Sequence, residues 1–270
     1  MKLLKRNSDE PDVLILQKLL CKWGFTVELS GFFNQKTEEA VCLFQRSQNL
    51  SPDGIVGNQT WNRLNDDGAL ELKAYKLSDS DFINAAGQLH VEVAVVKAVQ
   101  EVETGGKGGF FKPGYPAILF EGHIFWSQLK KQNIHPEDVI TNNEDILYPK
   151  WTKHHYKGGL KEYDRLEQAK KINITAAYSS ASWGMFQIMG FNYAACGCQD
   201  VVEFVEQMSQ SEGKQLELFV RFLQTNKWSQ YLQSLNWTEF ARHYNGPGYA
   251  QNHYDEKLAA AYRKYAIQKD

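Results

Sequence analysis

Glu101 and Glu103 stand two residues apart at the end of an apolar run that stops at Gly105-Gly106. Read as a helix turning about 100° per residue, with Leu89 at 0°, Val93 falls near 40°, Val96 near 340°, Val99 near 280° and Glu103 near 320°. Glu103 is therefore expected to point inward. Glu101 falls at about 120°, beside Lys97 at about 80° and His90 at about 100°. It is expected to be a solvated acid paired with Lys97 four positions back. Glu92, near 300°, also falls on the arc, but in the N-terminal half, where solvent and the helix dipole tolerate an acid. A buried acid at a helix C-terminus meets both desolvation and the negative end of the dipole, and both raise its pKa. A carboxyl that stays protonated near neutral pH is what general-acid cleavage of a glycosidic bond requires. An acid on an apolar arc also occurs as a paired core residue, so the surroundings must decide.

Other chemistries find little support. His154-His155 stands isolated, and no His-Glu-x-x-His pattern exists for a metal. There is no Gly-x-Ser-x-Gly elbow and no P-loop. Cys21, Cys42, Cys196 and Cys198 are too few for a secreted disulfide scaffold. Cys196-Gly197-Cys198 has no second Cys pair or His near it in sequence to complete a zinc site. No metal and no organic cofactor is expected.

Three segments follow in order: Glu103-Thr104-Gly105-Gly106, Ser182-Trp183-Gly184-Met185-Phe186-Gln187-Ile188, and Tyr244-Asn245-Gly246-Pro247-Gly248. Together they resemble the motifs of goose-type lysozymes and soluble lytic transglycosylases. With Ile118-Leu119-Phe120-Glu121-Gly122-His123 and Phe125, the stretch from about 83 to 266 is more closely similar to the N-acetylmuramidase domain of phage endolysins. The resemblance implies that Glu103 is the proton donor. It implies that Gln187 and Tyr244 hold sugar amide or hydroxyl groups, and that Asn245 supports their turn. Ser182 would position water or the sugar. Glu121 is either a second carboxylate or the buried partner of His123 or a tyrosine, and the structural role is favoured. Gly122 departs from the Arg usual at that place, so any contact of that Arg is missing. Trp183 either stacks on a sugar or fills core, with core favoured.

The elements that must position these groups read as mainly α. Helical patterns cover about 82–103, 121–131, 162–171, 199–208, 212–224, 228–234, 237–243 and 254–266. Tyr115 to Phe120 reads as one short strand. The stretch from Ile134 to Lys161, rich in Asn, Pro, Gly and charge, reads as a long loop, functional or disordered.

The front of the chain is a different body. Residues 13–21 read as a short amphipathic helix with Leu16, Leu19 and Leu20 inward, stopped at Gly24. Gly31-Phe32-Phe33-Asn34-Gln35-Lys36-Thr37 is then echoed 23 residues on by Gly54-Ile55-Val56-Gly57-Asn58-Gln59-Thr60. Each copy leads into a helix, at 38–47 and 61–64. With Leu16-Gln17-Lys18-Leu19-Leu20, Phe44-Gln45 and Thr60-Trp61, the segment from about 10 to 66 resembles the three-helix peptidoglycan-binding domain of cell-wall hydrolases. The expected organisation is a small three-helix wall-binding domain at 1–70, a linker at 71–82, and a larger α-helical lysozyme-like domain at 83–270.

Composition agrees with a folded chain: 43% apolar and 23% charged residues exclude a disordered protein. A formal net charge of −2 leaves no basic excess for a row of phosphates, so nucleic acid is not expected as a partner. Met1–Asn7 carries Lys2, Lys5 and Arg6 without a following apolar stretch, so no signal peptide is read. No run reaches the roughly 18 apolar residues of a membrane span. The expectation is an endolysin that acts as a monomer on bacterial peptidoglycan. It would wait in the host cytoplasm until a holin opens the membrane, then reach the periplasm and wall. It would cleave the β-1,4 bond between N-acetylmuramic acid and N-acetylglucosamine. The order of domains implies, by the resemblance, a phage of Gram-negative hosts. The alternatives are a lytic transglycosylase, which leaves anhydro-muramic ends, and a non-catalytic wall-binding protein.

Overall fold

The computed structural model describes residues 3–66, 75–246 and 248–267. The chain divides into two units, Met1–Ala74 and Tyr75–Asp270.

The front unit holds α1 (Pro11–Lys22), α2 (Gln35–Ser47) and α3 (Asn58–Leu64). Each begins about one turn before its apolar pattern, because a polar first turn carries no periodicity. Pro11 suits the first turn of α1, and the Asn34 side chain accepts from Thr37 N at 2.9 Å to cap α2. Leu16, Leu20, Phe33, Val41, Phe44, Val56 and Trp61 close a core of their own. The sequence echo has a structural cause. Gln17 Oε1 accepts from Gly31 N at 2.9 Å, while its Nε2 donates to Phe32 O and Thr37 Oγ1. Gln45 repeats this: Oε1 accepts from Gly54 N at 3.0 Å, and Nε2 donates to Ile55 O and Thr60 Oγ1. Each glutamine is fully or almost fully buried and satisfies the turn that launches the next helix.

In the second unit the expected helix over 82–103 is two helices. α4 (Asp79–Leu89) ends where His90 takes a left-handed conformation (φ 55°), and α5 (Val93–Thr104) starts after the exposed Glu92 at its N-cap. Histidine is among the non-glycine residues that enter this region more readily, so the break has no glycine signal. The helical phase measured from Leu89 does not cross the break, but it holds within α5, where Val96 and Val99 are buried. The expected linker also changes: 79–82 belong to α4, and 71–74 lie outside the described residues.

Beyond α5 come β1 (Phe110–Lys112), β2 (Tyr115–Pro116) and β3 (Ile118–Phe120), so the single strand expected at Tyr115–Phe120 is two. β1 pairs with β2, and β3 pairs antiparallel with β4 (Ala181–Trp183), which pairs with β5 (Ile188–Met189). These strands are two or three residues long, too short for alternation to show. α6 (Gly122–Lys131), α7 (Pro136–Val139), α8 (Lys161–Ile172) and α9 (Ile174–Ser179) follow. After a 3₁₀ turn at Gly190–Cys196 come α10 (Val201–Met208), α11 (Glu212–Thr225), α12 (Ser229–Gln233), α13 (Trp237–Tyr244) and α14 (Tyr254–Ala266). α14 packs along α5. Phe120, Phe125, Trp183, Phe204, Phe219 and Phe240 lie in one core. The long stretch from Ile134 to Lys161 is folded: Ile146 and Leu147 enter that core, and Tyr148 is buried.

Candidate active site

α5 delivers Glu103 to the wall of a cavity of about 340 Å³. α13 and the turn after it bring Tyr244 and Asn245, and the β4–β5 hairpin brings Phe186, Gln187 and Ile188. Asn245 Nδ2 donates to Glu103 Oε2 at 2.9 Å. Glu103 Oε1 is buried with no hydrogen-bond partner among the described residues, and so is Asn245 Oδ1. Burial lifts the Glu103 pKa to about 7, and the Asn245 hydrogen bond opposes that rise. Glu103 is the sole carboxylate among the described residues lining the cavity.

Glu101, two residues back, has the opposite environment. Lys264 Nζ lies 2.6 Å from its Oε2, and the Tyr265 hydroxyl also donates to it. These bonds hold its pKa below the ordinary value. The expected partner Lys97 instead reaches Asp79 at 3.2 Å. Lys264 wins because α14 packs along α5, a tertiary contact that helix spacing cannot show.

Gln187 lies at the cavity in a left-handed conformation (φ 50°). Its polar atoms are engaged internally. Oε1 accepts from Ser182 Oγ at 2.8 Å, and Nε2 donates to Gly184 O at 2.8 Å and Ala117 O at 3.2 Å. Ser182 is buried and does not line the cavity; through Gln187 it fixes the hairpin. The Tyr244 hydroxyl donates to Phe186 O at 2.9 Å. Burial and the nearby Glu103 charge push its pKa well up, so it stays a neutral phenol.

Glu121 is not among the residues lining the cavity. Its carboxylate accepts from the Tyr156 hydroxyl at 2.8 and 2.9 Å and lies 3.3 Å from His123 Nδ1. Glu121 is thus the hydrogen-bond partner of a tyrosine, with His123 beside it, and it pins the long loop to α6. Gly122 follows it because there is no room for more: a Cβ would collide with the Tyr148 ring and the Ile146 carbonyl. Trp183 is 1% exposed and donates Nε1 to Tyr178 O, so it fills core.

Sequence reasoning missed Asn192, Trp228 and Tyr254, which also line the cavity. Trp228 is partly exposed, its ring nearly perpendicular to those of Phe222 and Tyr244. The available signal was weak: a Trp at a helix junction, one of seven in the chain.

One carboxyl with a pKa raised by burial, in a polar and aromatic cleft of an α-helical unit, fits a glycosidase of the lysozyme class. Residues 92–266 match the family model for N-acetylmuramidase, and residues 9–64 match a peptidoglycan binding domain. The chain belongs to the N-acetylmuramidase family and is a glycoside hydrolase. It is similar to the crystal structure of the Burkholderia AP3 phage endolysin. The sequences are 37% identical, with a TM-score of 0.68, and the match covers 98% of this chain and 100% of that one. No described helix is long and apolar enough to cross a membrane.

Proposed function

We propose that this chain is an endolysin that cleaves the β-1,4 bond between N-acetylmuramic acid and N-acetylglucosamine, with Glu103 as general acid. The observation that carries this is the Glu103 carboxyl itself: buried, raised to about 7, and tied by Asn245 at Oε2 alone. An amide N–H prefers the unprotonated oxygen. Asn245 therefore directs the proton to Oε1, the oxygen without a hydrogen-bond partner among the described residues. As the bond breaks, Oε1 gives up that proton and the carboxylate stays opposite the oxocarbenium-like sugar. The Tyr244 hydroxyl, held by Phe186 O, and Gln187, held by Ser182, line the sugar's path as oriented polar groups. The Trp228 ring supplies a flat face suited to a pyranose.

The front unit carries the chain to peptidoglycan, and the enzyme acts as a monomer, held in the host cytoplasm until lysis and then working on the wall. Residues 1–70, which close their own core, are expected to sediment with purified peptidoglycan. Recovery of that fragment in the supernatant while the full chain sediments rejects this role.

One observation supports a second reading of the chemistry. With Glu103 as the sole carboxylate among the described lining residues, a sugar's own 6-hydroxyl can take the place of an activated water. Mass spectrometry of digested peptidoglycan separates the two. Reducing muramic ends support hydrolysis, and anhydro-muramic ends support transglycosylation. A wall-binding protein without activity would release neither.

A further inference from the structure

Gln215 lies on α11 and is fully buried, one turn from the buried Glu212. Its Oε1 accepts from Met185 N at 2.9 Å. Its Nε2 donates to Gly109 O at 3.1 Å and Met208 O at 2.9 Å. Glu212 Oε1 accepts from Gly109 N at 2.8 Å and from Lys76 Nζ at 2.9 Å, and its Oε2 accepts from Leu77 N at 3.2 Å. Both backbone groups of Gly109 are thereby gripped by α11. Met185 immediately precedes Phe186 and Gln187, which form one wall of the cavity. Gly109 closes the glycine loop that leaves α5 just after Glu103, the residue α5 contributes to that cavity. One side chain therefore joins the loop after Glu103 to the hairpin that carries Phe186 and Gln187. The approach needs a glycine in the hairpin: Gly184 has φ +71°, and a Cβ there would stand 2.7 Å from Gln215 Cδ.

We propose that Gln215 is a positioning residue that fixes the separation between the loop after Glu103 and the Phe186–Gln187 wall, and so sets how closely the cleft encloses the Glu103 carboxyl. This rests on Glu103 as the general acid. Gln215 touches neither substrate nor reacting atoms; it acts through Met185 and Gly109. Releasing either tie lets water reach Glu103, which weakens its hold on the proton. The rate then falls off at lower pH as the pH is raised.

The test uses the full chain with Gln215→Met, which keeps length and loses every polar atom. Turnover on purified peptidoglycan is measured across pH, with kcat and KM separated, well below each variant's thermal midpoint. Val220→Ala, a buried packing change on the same helix, is the control for lost stability. The expected result is a kcat roughly tenfold lower and an alkaline limb about 0.5–1 pH unit lower, with KM changed less. Val220→Ala should lower the midpoint and leave the limb in place. If Gln215→Met does not fold, Gln215→Asn keeps an amide one methylene short and should move the limb in the same direction. A limb and kcat equal to wild type in the folded Met variant, or in the Asn variant, overturn the inference. Failure of the Glu103 reading looks different: wild type then has no alkaline limb near 7, or Glu103→Gln retains turnover.

Discussion

Asn245 and Glu103 meet across 142 residues of sequence, Nδ2 to Oε2 at 2.9 Å, and this bond is the one stabilising contact the Glu103 carboxylate receives among the described residues. Burial and this bond pull the proton in opposite directions, and burial wins. Asn245 therefore trims the pKa and sorts the two oxygens, one held and one free.

The first prediction is a pH profile. A general acid works in its protonated form, so the rate should hold below about 7 and fall as pH rises through the Glu103 pKa of about 7. Initial rates on purified peptidoglycan, at constant ionic strength, check this. A rate that climbs steadily through pH 8 contradicts it.

The Asn245→Leu variant removes the bond that favours the charged form. The alkaline limb should move to higher pH. The rate on the plateau should fall by roughly 10–100-fold, because the proton is no longer assigned to one oxygen. The same pH series on the variant reads both effects. A limb displaced downward would show that Asn245 does not govern the proton.

A third prediction concerns the buried pair Glu162–Arg165, at 2.8 Å with side chains 0% and 2% exposed. Arg165 also donates to Phe120 O and Asp145 O, while Glu162 accepts from Phe120 N, Lys157 N and Gly158 N. The pair thus ties the long loop to β3. Arg165→Met leaves Glu162 buried without its cation and should destabilise the unit by about 3–5 kcal/mol. Denaturant unfolding of the full chain followed through the second unit measures it; a loss under about 1 kcal/mol would contradict the assignment.

In the front unit, Gln45→Leu strands the buried Gly54 N, while the Ile55 carbonyl keeps Gly57 N as a donor. Each buried polar group left unpaired costs about 1–3 kcal/mol. Thermal unfolding of residues 1–74 should shift clearly downward, and Gln17→Leu should act alike through Gly31 N. An unchanged midpoint for both would show that the repeated glutamine does not hold the turns.

Much of this was legible in the sequence, for identifiable reasons. α11 carries Leu216, Phe219, Val220 and Leu223 at helical spacing, so its period shows. Within α5, Val96 and Val99 share an arc with Glu103, so the inward acid could be found. The hidden parts depend on tertiary contact. Nothing local says that Lys264 rather than Lys97 holds Glu101, or that Gln215 reaches Met185 and Gly109. The His90 break lacks a glycine, and β4 and β5 are too short to alternate. The Ser182–Gln187 bond was also invisible: the motif named both residues as sugar contacts, and the structure spends much of their hydrogen bonding on each other.

The central claim is that Glu103 donates the proton, and the paired variants Glu103→Gln and Glu101→Gln test it most directly. Gln keeps the size of each side chain and removes its acidity. Glu103→Gln should cut peptidoglycan cleavage by roughly 10²–10⁴-fold while wall binding stays intact. Its raised folded pKa means that Glu103 costs stability once the unfolded chain has ionised near 4.5, and the cost grows until about pH 7. The variant should therefore melt no lower than wild type, and relatively higher as pH rises through that window. Glu101→Gln loses a surface contact with Lys264 and Tyr265 and should cleave normally. Turnover and thermal midpoint are measured for both. A silent Glu101→Gln beside a fully active Glu103→Gln would contradict the account.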